Sequence, residues 1–396
     1  MIFTNPSILF ISIWGLIGIL FNFQLSNVLT DLKIETIVLI IISCSAFAFA
    51  YMIYFLMYKN PILYPYFDIK KNFTQIINDN VFKKIKKLVF FWIICTGIEI
   101  IIAGNLPLLS ILGFGKFVGY TDFGIRGLHG FLNSIFLFLA SFYFLKYKIT
   151  LERKNIFIVL FMIAWTILVV NRQLMLSLLI ELLFLHLITT KIKIKKLLKL
   201  IALVILAIVA FGLMGDFRSG REHFLEIASP NFYYPDYLPS GFLWVYIYML
   251  TPLNNVNFNI TTIEPTYIPL ETIILLFPSF LRDNITSFID RPEQNFILVH
   301  DSFNMSSFYP ALLIDYGIEL LFFPLLLSAL LFLHTMHKSN NNIKFALTLA
   351  IFLHAIAMSV FTNFFTHIVF VMQIFIVIYV FNRFKYKKVT RLTLAK

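Results

Sequence analysis

Apolar runs of about 18 residues or more recur along the whole chain, and this constrains the fold more than any other feature. In hydrocarbon a backbone must satisfy its own hydrogen bonds, which such runs do as single helices. Ten spans can be read, at about 8–24, 34–58, 88–103, 128–146, 156–170, 173–190, 198–215, 318–334, 345–361 and 365–381. Two shorter apolar stretches, 241–253 and 268–281, are expected as interfacial or re-entrant helices; paired as an extra hairpin they would raise the count to twelve. Only 13% of the 396 residues are charged, about half the proportion a soluble domain carries. The expectation is therefore an all-α polytopic integral membrane protein forming one embedded domain.

The connectors alternate in charge. Residues 59–87, 146–154, 191–199, 335–344 and 383–396 hold most of the 32 basic residues. The other connectors hold Lys33, Lys116, Arg126, Arg172, Arg218, Arg221, Arg282 and Arg291. Positive charge marks the cytoplasmic side, so both termini are expected inside and the long stretch 216–317 outside. The net charge of +12 thus reports topology and not nucleic-acid binding. Cys44 and Cys95 fall inside spans, which argues against a disulfide framework. The first basic residue is Lys33, so no cleaved signal peptide is expected.

The outer connectors also select a residue type. Six of the nine arginines lie there, against two of the twenty-three lysines. Topology is indifferent to that choice, whereas a planar, permanently charged guanidinium suits bidentate recognition of phosphate. Pairing with the outer acids, among them Asp216, Asp236, Asp290 and Asp301, is the competing explanation. Arg172 stands at a tight tip, Asn171-Arg172-Gln173, and so opens a helix whose positive end already favours an anion. His129 opens a span beside the glycine-rich connector 104–126, a placement suited to hydrogen bonding or proton transfer. Glu99 and Glu181 fall inside spans, where acids are functional candidates or buried hydrogen-bonding groups. Asp315 begins the span after the long stretch, placed to orient an arginine or a sugar hydroxyl. No spacing of His, Cys or Asp suggests a metal, and nucleotide-binding and serine-nucleophile motifs are absent from the sequence.

Scattered motifs on the outer connectors carry a family resemblance. They are Gly104-Asn105-Leu106-Pro107, Phe123-Gly124-Ile125 with Gly127-Leu128-His129-Gly130, Arg172, Gly215-Asp216-Phe217-Arg218, Thr251-Pro252-Leu253-Asn254-Asn255 and Asp315-Tyr316-Gly317. In these the chain resembles Wzy-type oligosaccharide repeat-unit polymerases, the O-antigen polymerase family. It departs from the family at Arg126, where the motif has proline. No glycine stands eleven residues after Arg172, Arg218, Arg221 or Arg282.

The resemblance implies a GT-C-like fold in the bacterial inner membrane. It also implies metal-independent, cofactor-free transfer of a glycan from undecaprenyl pyrophosphate on the periplasmic face. The implied partners are lipid-linked oligosaccharide, membrane lipids and a chain-length regulator. On this reading Arg172, Arg218 and Arg221 hold pyrophosphate, and Arg282 or Arg291 holds the second lipid substrate. His129, Asp216 or Asp315 takes the acceptor proton, while Arg126, Asn255 and Tyr316 contact substrate. An O-antigen ligase shares this fold and donor. A lipid-linked oligosaccharide flippase is the non-enzymatic rival.

Overall fold

A computed structural model describes residues 2–381 except 77, 120–121, 192–197, 200–201, 203–204, 207–208, 210–211, 213–215, 217–219, 279–280, 283 and 286–295. The expected span 198–215 and the tail 383–396 lie largely or wholly outside the described residues. Regular structure among the described residues is helical, with only two isolated bridges, Ser26 to Pro230 and Ser307 to Thr362.

The bundle is built from α1 (Pro6–Phe21), α2 (Ile34–Met57), α3 (Asp79–Ala103), α4 (Leu128–Thr150), α5 (Arg153–Leu168) and α6 (Arg172–Thr189). The long stretch contributes α7 (Arg221–Ala228), α8 (Gly241–Asn259) and α9 (Leu270–Ile274). The chain closes with α10 (Tyr309–Leu320), α11 (Phe322–Ser339), α12 (Ile343–Met358) and α13 (Ile368–Phe381). Asparagine starts several of these helices by accepting from the first free N–H groups. Asn5 caps α1 ahead of Pro6, Asn171 caps α6 through Leu174 N at 2.9 Å, and Asn342 caps α12. Gly104, at φ +79°, ends α3 in the left-handed conformation that side chains resist.

Among the described residues four helices, α2, α3, α4 and α6, are each long and apolar enough to cross a membrane; the bent α10–α11 pair makes a fifth if it counts as one span. α1, α12 and α13 are apolar but only 14–16 residues long. On α3, Phe90 is 67% and Ile101 79% exposed. An exposed belt of this kind is a liability in water and ordinary in lipid, in keeping with an all-α membrane protein.

The two connector sets gather at opposite ends of the bundle. At the lysine-rich end, Phe67 N donates to Ile188 O, Tyr66 N to Asn340 Oδ1 and Ile343 N to Gln75 Oε1. At the other end, Ser26 Oγ donates to Ala228 O, Lys33 Nζ to Phe258 O and Phe308 N to Ser359 O.

Aromatic packing fills the core between α1, α2 and α10. Phe10 stacks on Phe47 at 3.8 Å, and Trp14 packs edge-on to Tyr309 at 4.8 Å. The one polar atom of the Trp14 ring is satisfied, because Nε1 donates to Ser359 Oγ.

Two expectations for the long stretch change. The segment expected as an interfacial helix at 241–253 is a 19-residue helix whose second half is almost wholly buried. Among the described residues the 268–281 segment forms the five-residue α9, and 281 is helical again after the undescribed 279–280. The span expected from 318 begins instead at an elbow, because α10 and α11 meet at 111°. Gly317 makes this possible with φ +60° and ψ −176°, a region reserved for glycine.

Candidate functional site

Glu99 and His129 meet at the arginine-bearing end of the bundle. Glu99 lies in the last turns of α3 and is 2% exposed; its Oε2 is 3.0 Å from His129 Nδ1. Its other oxygen, Oε1, accepts Ile125 N at 3.0 Å. The connector between them turns sharply at Gly124, φ +108°, where an added Cβ would sit 2.5 Å from the His129 ring. Phe123 closes the ring edge-on at 5.9 Å. The imidazole is therefore held on three sides with Nδ1 donating to the carboxylate, and it remains 27% exposed. That tautomer leaves Nε2 as a proton acceptor, the arrangement of an oriented general base.

Two arginines share this end. Arg126 belongs to the same connector, and Arg172 occupies the first position of α6 as expected. Val169, just before Arg172, packs with Phe123 and Val118, so the α5–α6 tip and the His129 connector form one cluster. Both arginines are exposed, and neither has a hydrogen bond or ion pair among the described residues. The positive end of α6 adds to the Arg172 charge, so an anion there is stabilised twice over.

The other expected site residues are placed differently. Arg218 and Arg291 lie outside the described residues. Arg221 donates to Leu238 O at 3.0 Å and Pro235 O at 2.7 Å and lies over the Tyr234 ring, so it clamps a loop. Burial pushes the Tyr234 phenol up from its usual range. Arg282 donates to Phe277 O and Leu275 O. Asp216 is half-buried beside Tyr234, and its Oδ1 meets no partner among the described residues.

Asp315, expected near the interface, is fully buried. Its oxygens accept Glu271 N, Thr272 N and Thr272 Oγ1 within 2.5–2.8 Å, so it caps α9 against the elbow. Tyr316 is half-buried against the core. Asn255 is also fully buried: it donates to Phe303 O and Met305 O and accepts Val299 N.

Asn255 is one of four buried asparagines on α8 that latch the surrounding loops. Asn259 holds Ile297 through both its N–H and its C=O. Asn254 and Asn257, three residues apart, hold Val28, Thr30, Asp31 and Lys33 in the α1–α2 loop and Thr36 in the first turn of α2. The signal for this was in the sequence, since positions 254/257 and 255/259 carry asparagine at helical spacing.

Glu181, a candidate from its place inside a span, is buried at 1% exposure. It accepts from Ser141 Oγ and Gln373 Nε2, which ties α4, α6 and α13 together. An open groove of about 460 Å³ lies between the α1–α2 loop, α7 and residues 298–300; Asn27, Glu226, Phe258 and His300 line it, and none of the described arginines does. Among the described residues no three His, Cys, Asp or Glu side chains gather to hold a metal.

The chain matches no protein-family model, no curated protein and no solved structure.

Proposed function

We propose that the protein is a membrane polysaccharide polymerase that moves a growing glycan from undecaprenyl pyrophosphate onto the next lipid-linked repeat unit. The observation that carries this reading is the Glu99–His129 pair beside the exposed Arg126 and Arg172. It lies at the bundle end opposite the lysine-rich connectors. The reading includes ten spans counting 198–215, a GT-C-like architecture, both termini in the cytoplasm and the site on the periplasmic face of a bacterial inner membrane.

In the proposed step, the acceptor sugar hydroxyl attacks the anomeric carbon of the donor glycan and gives its proton to His129 Nε2. The bond between that carbon and the phosphate oxygen breaks, and undecaprenyl pyrophosphate leaves with the electron pair. Arg126 and Arg172 stabilise the charge developing on the leaving group, with Arg218 as the further candidate. Glu99 orients the imidazole and stabilises its protonated form. No metal is required, because the pyrophosphate is already a competent leaving group.

Purified protein supplied with a lipid-linked repeat unit in detergent tests this directly, with polymer length as the readout. His129→Asn is expected to lower turnover by about 10²–10⁴. Arg172→Ala in cells is expected to abolish long polysaccharide while single-repeat capping survives. Normal chain lengths in both variants would refute the assignment. A knockout that leaves lipid A core with no repeat unit at all would point to the ligase, and transbilayer movement without extension would point to a flippase.

A further inference from the structure

The α12–α13 loop, residues 359–367, and the helix turn beneath it hold buried polar atoms that no described residue satisfies. His354 is 2% exposed, and neither ring nitrogen has a partner. Asn363 is 8% exposed; its Oδ1 accepts Phe365 N, but its Nδ2 donates to nothing. Thr366 Oγ1 is likewise unpartnered. Orphans of this kind are rare in native proteins, because each forfeits its hydration without replacement. Four such atoms within thirteen residues call for a ligand.

The groups lie close together. The rings of His354 and His367 flank Phe364, with centroid separations of 5.2 and 5.4 Å. His367 Nδ1 accepts Val369 N, so its proton sits on Nε2 and that nitrogen donates. Arg282, whose guanidinium donates to Phe277 O and Leu275 O, brings positive charge to the same region. The loop is anchored, since Ser307 N donates to Phe361 O and Phe308 N to Ser359 O.

The chemistry selects the ligand. Asn363 Nδ2 can only donate, His367 Nε2 and the Thr366 hydroxyl donate, a neutral His354 offers one donor, and Arg282 supplies positive charge. A metal cation would meet donors and a guanidinium. An anion rich in acceptor oxygens satisfies every donor among them, and a phosphate that keeps one O–H can donate to the remaining His354 nitrogen.

We infer that His354, Asn363, Thr366, His367 and Arg282 form a binding site for a phosphate group. The phosphate belongs either to a free anion or to the head of an amphiphile. The next residue, Phe365, lines an apolar groove of about 330 Å³ with Phe332, Phe352 and Phe370, where the chain of an amphiphile would lie. The site also adjoins the first turn of α4, because a Cβ on Gly130 would contact Ile368 at 3.7 Å. The inference stands on the orphan atoms and does not depend on glycosyl transfer.

The test uses full-length protein in phosphate-free detergent, with inorganic phosphate and short-chain phosphatidic acid as probes and the matching diacylglycerol as control. Thermal midpoint and calorimetric titration are the readouts. The parent is expected to gain stability saturably with phosphate, with phosphatidic acid or with both, and not with diacylglycerol. A response to phosphate identifies a free-anion site, and a response to phosphatidic acid alone identifies a headgroup site. Thr366→Val removes one donor and keeps the branched shape, whereas Asn363→Leu removes one donor together with the acceptor of Phe365 N, and each is expected to weaken binding at least about tenfold. The ligand-free midpoint of Thr366→Val should equal or exceed the parent's, because a buried orphan has been removed. If Asn363→Leu does not fold, Thr366→Val decides. No stabilisation by either probe, or equal binding by parent and variants, would mean that ordered water alone fills the site and would overturn the inference.

Discussion

Replacing Asn255 by leucine separates two roles that a sequence motif cannot distinguish. If Asn255 contacts substrate, the variant should be stable and inactive. The structure instead has it holding residues 299–305 by three hydrogen bonds, at 2.7 Å to Phe303 O, 2.7 Å to Met305 O and 2.9 Å from Val299 N. Leucine keeps the branched skeleton and is larger, so no cavity opens, and overpacking at this buried position adds to the polar loss. The Phe303 carbonyl is in a buried bond and would be orphaned, while the other two bonds are partly buried and water can replace them in part. Orphaning a buried group costs about 1–3 kcal/mol and losing an ordinary hydrogen bond about 0.5–1.5 kcal/mol, which puts the polar total at about 2–6 kcal/mol. Local opening of 296–305 should therefore become about thirty-fold or more easier. Limited proteolysis of the detergent-solubilised protein, with the cleavage site mapped by mass spectrometry, measures this. The expected result is rapid nicking within 296–305 under conditions where the parent stays intact. A variant as resistant as the parent would refute the latch and return Asn255 to the substrate.

Other outcomes follow from the same geometry. Gly317→Ala places a Cβ 2.4 Å from Glu319 Oε2 in a backbone region closed to alanine; it should cost about 1–3 kcal/mol or more and lower the thermal midpoint measurably. Gly124→Ala drives a methyl into the His129 ring, so activity should fall far more than thermal stability, as parallel melting and turnover assays would show. Arg221→Met should loosen 234–240 to protease because the clamped carbonyls lose their donors, whereas Arg172→Met should leave protease resistance unchanged and abolish polymer formation.

Much of the bundle was legible because its signals are local. Continuous apolar runs marked the long helices, and Asn171 followed by Arg172 marked the start of α6 through capping chemistry that operates within one turn. α8 was expected as a shorter interfacial or re-entrant helix, because asparagines lower the hydropathy of its second half. They lie inside the protein, where loop backbone takes the place of solvent. Glu99 and His129 were each conspicuous, one as an acid in a span and one at a glycine-rich turn. Their pairing crosses 30 residues and depends on how α3 packs against α4, which no local pattern encodes. Asn255, Asp315 and Arg221 drew attention for their chemistry, and the structure has each of them engaged with backbone groups of its own chain. A side chain able to bind a substrate oxygen or amide binds a backbone one equally well, and only the three-dimensional arrangement tells them apart.

The asparagines of α8 also impose an order on biogenesis. Thr30 and Asn254, joined at 3.1 Å through the Thr30 N–H, are 224 residues apart in the chain. The α1–α2 hairpin is translated and inserted long before α8 exists. Until then the Thr30 and Lys33 N–H groups and the Val28 and Asp31 carbonyls must be satisfied by water. The loop must therefore wait at the bilayer surface, hydrated and unlatched, while more than half of the protein is synthesised. A ribosome stalled before residue 241 would present that open loop to membrane proteases, which gives the cell a structural criterion for telling an unfinished chain from a finished one.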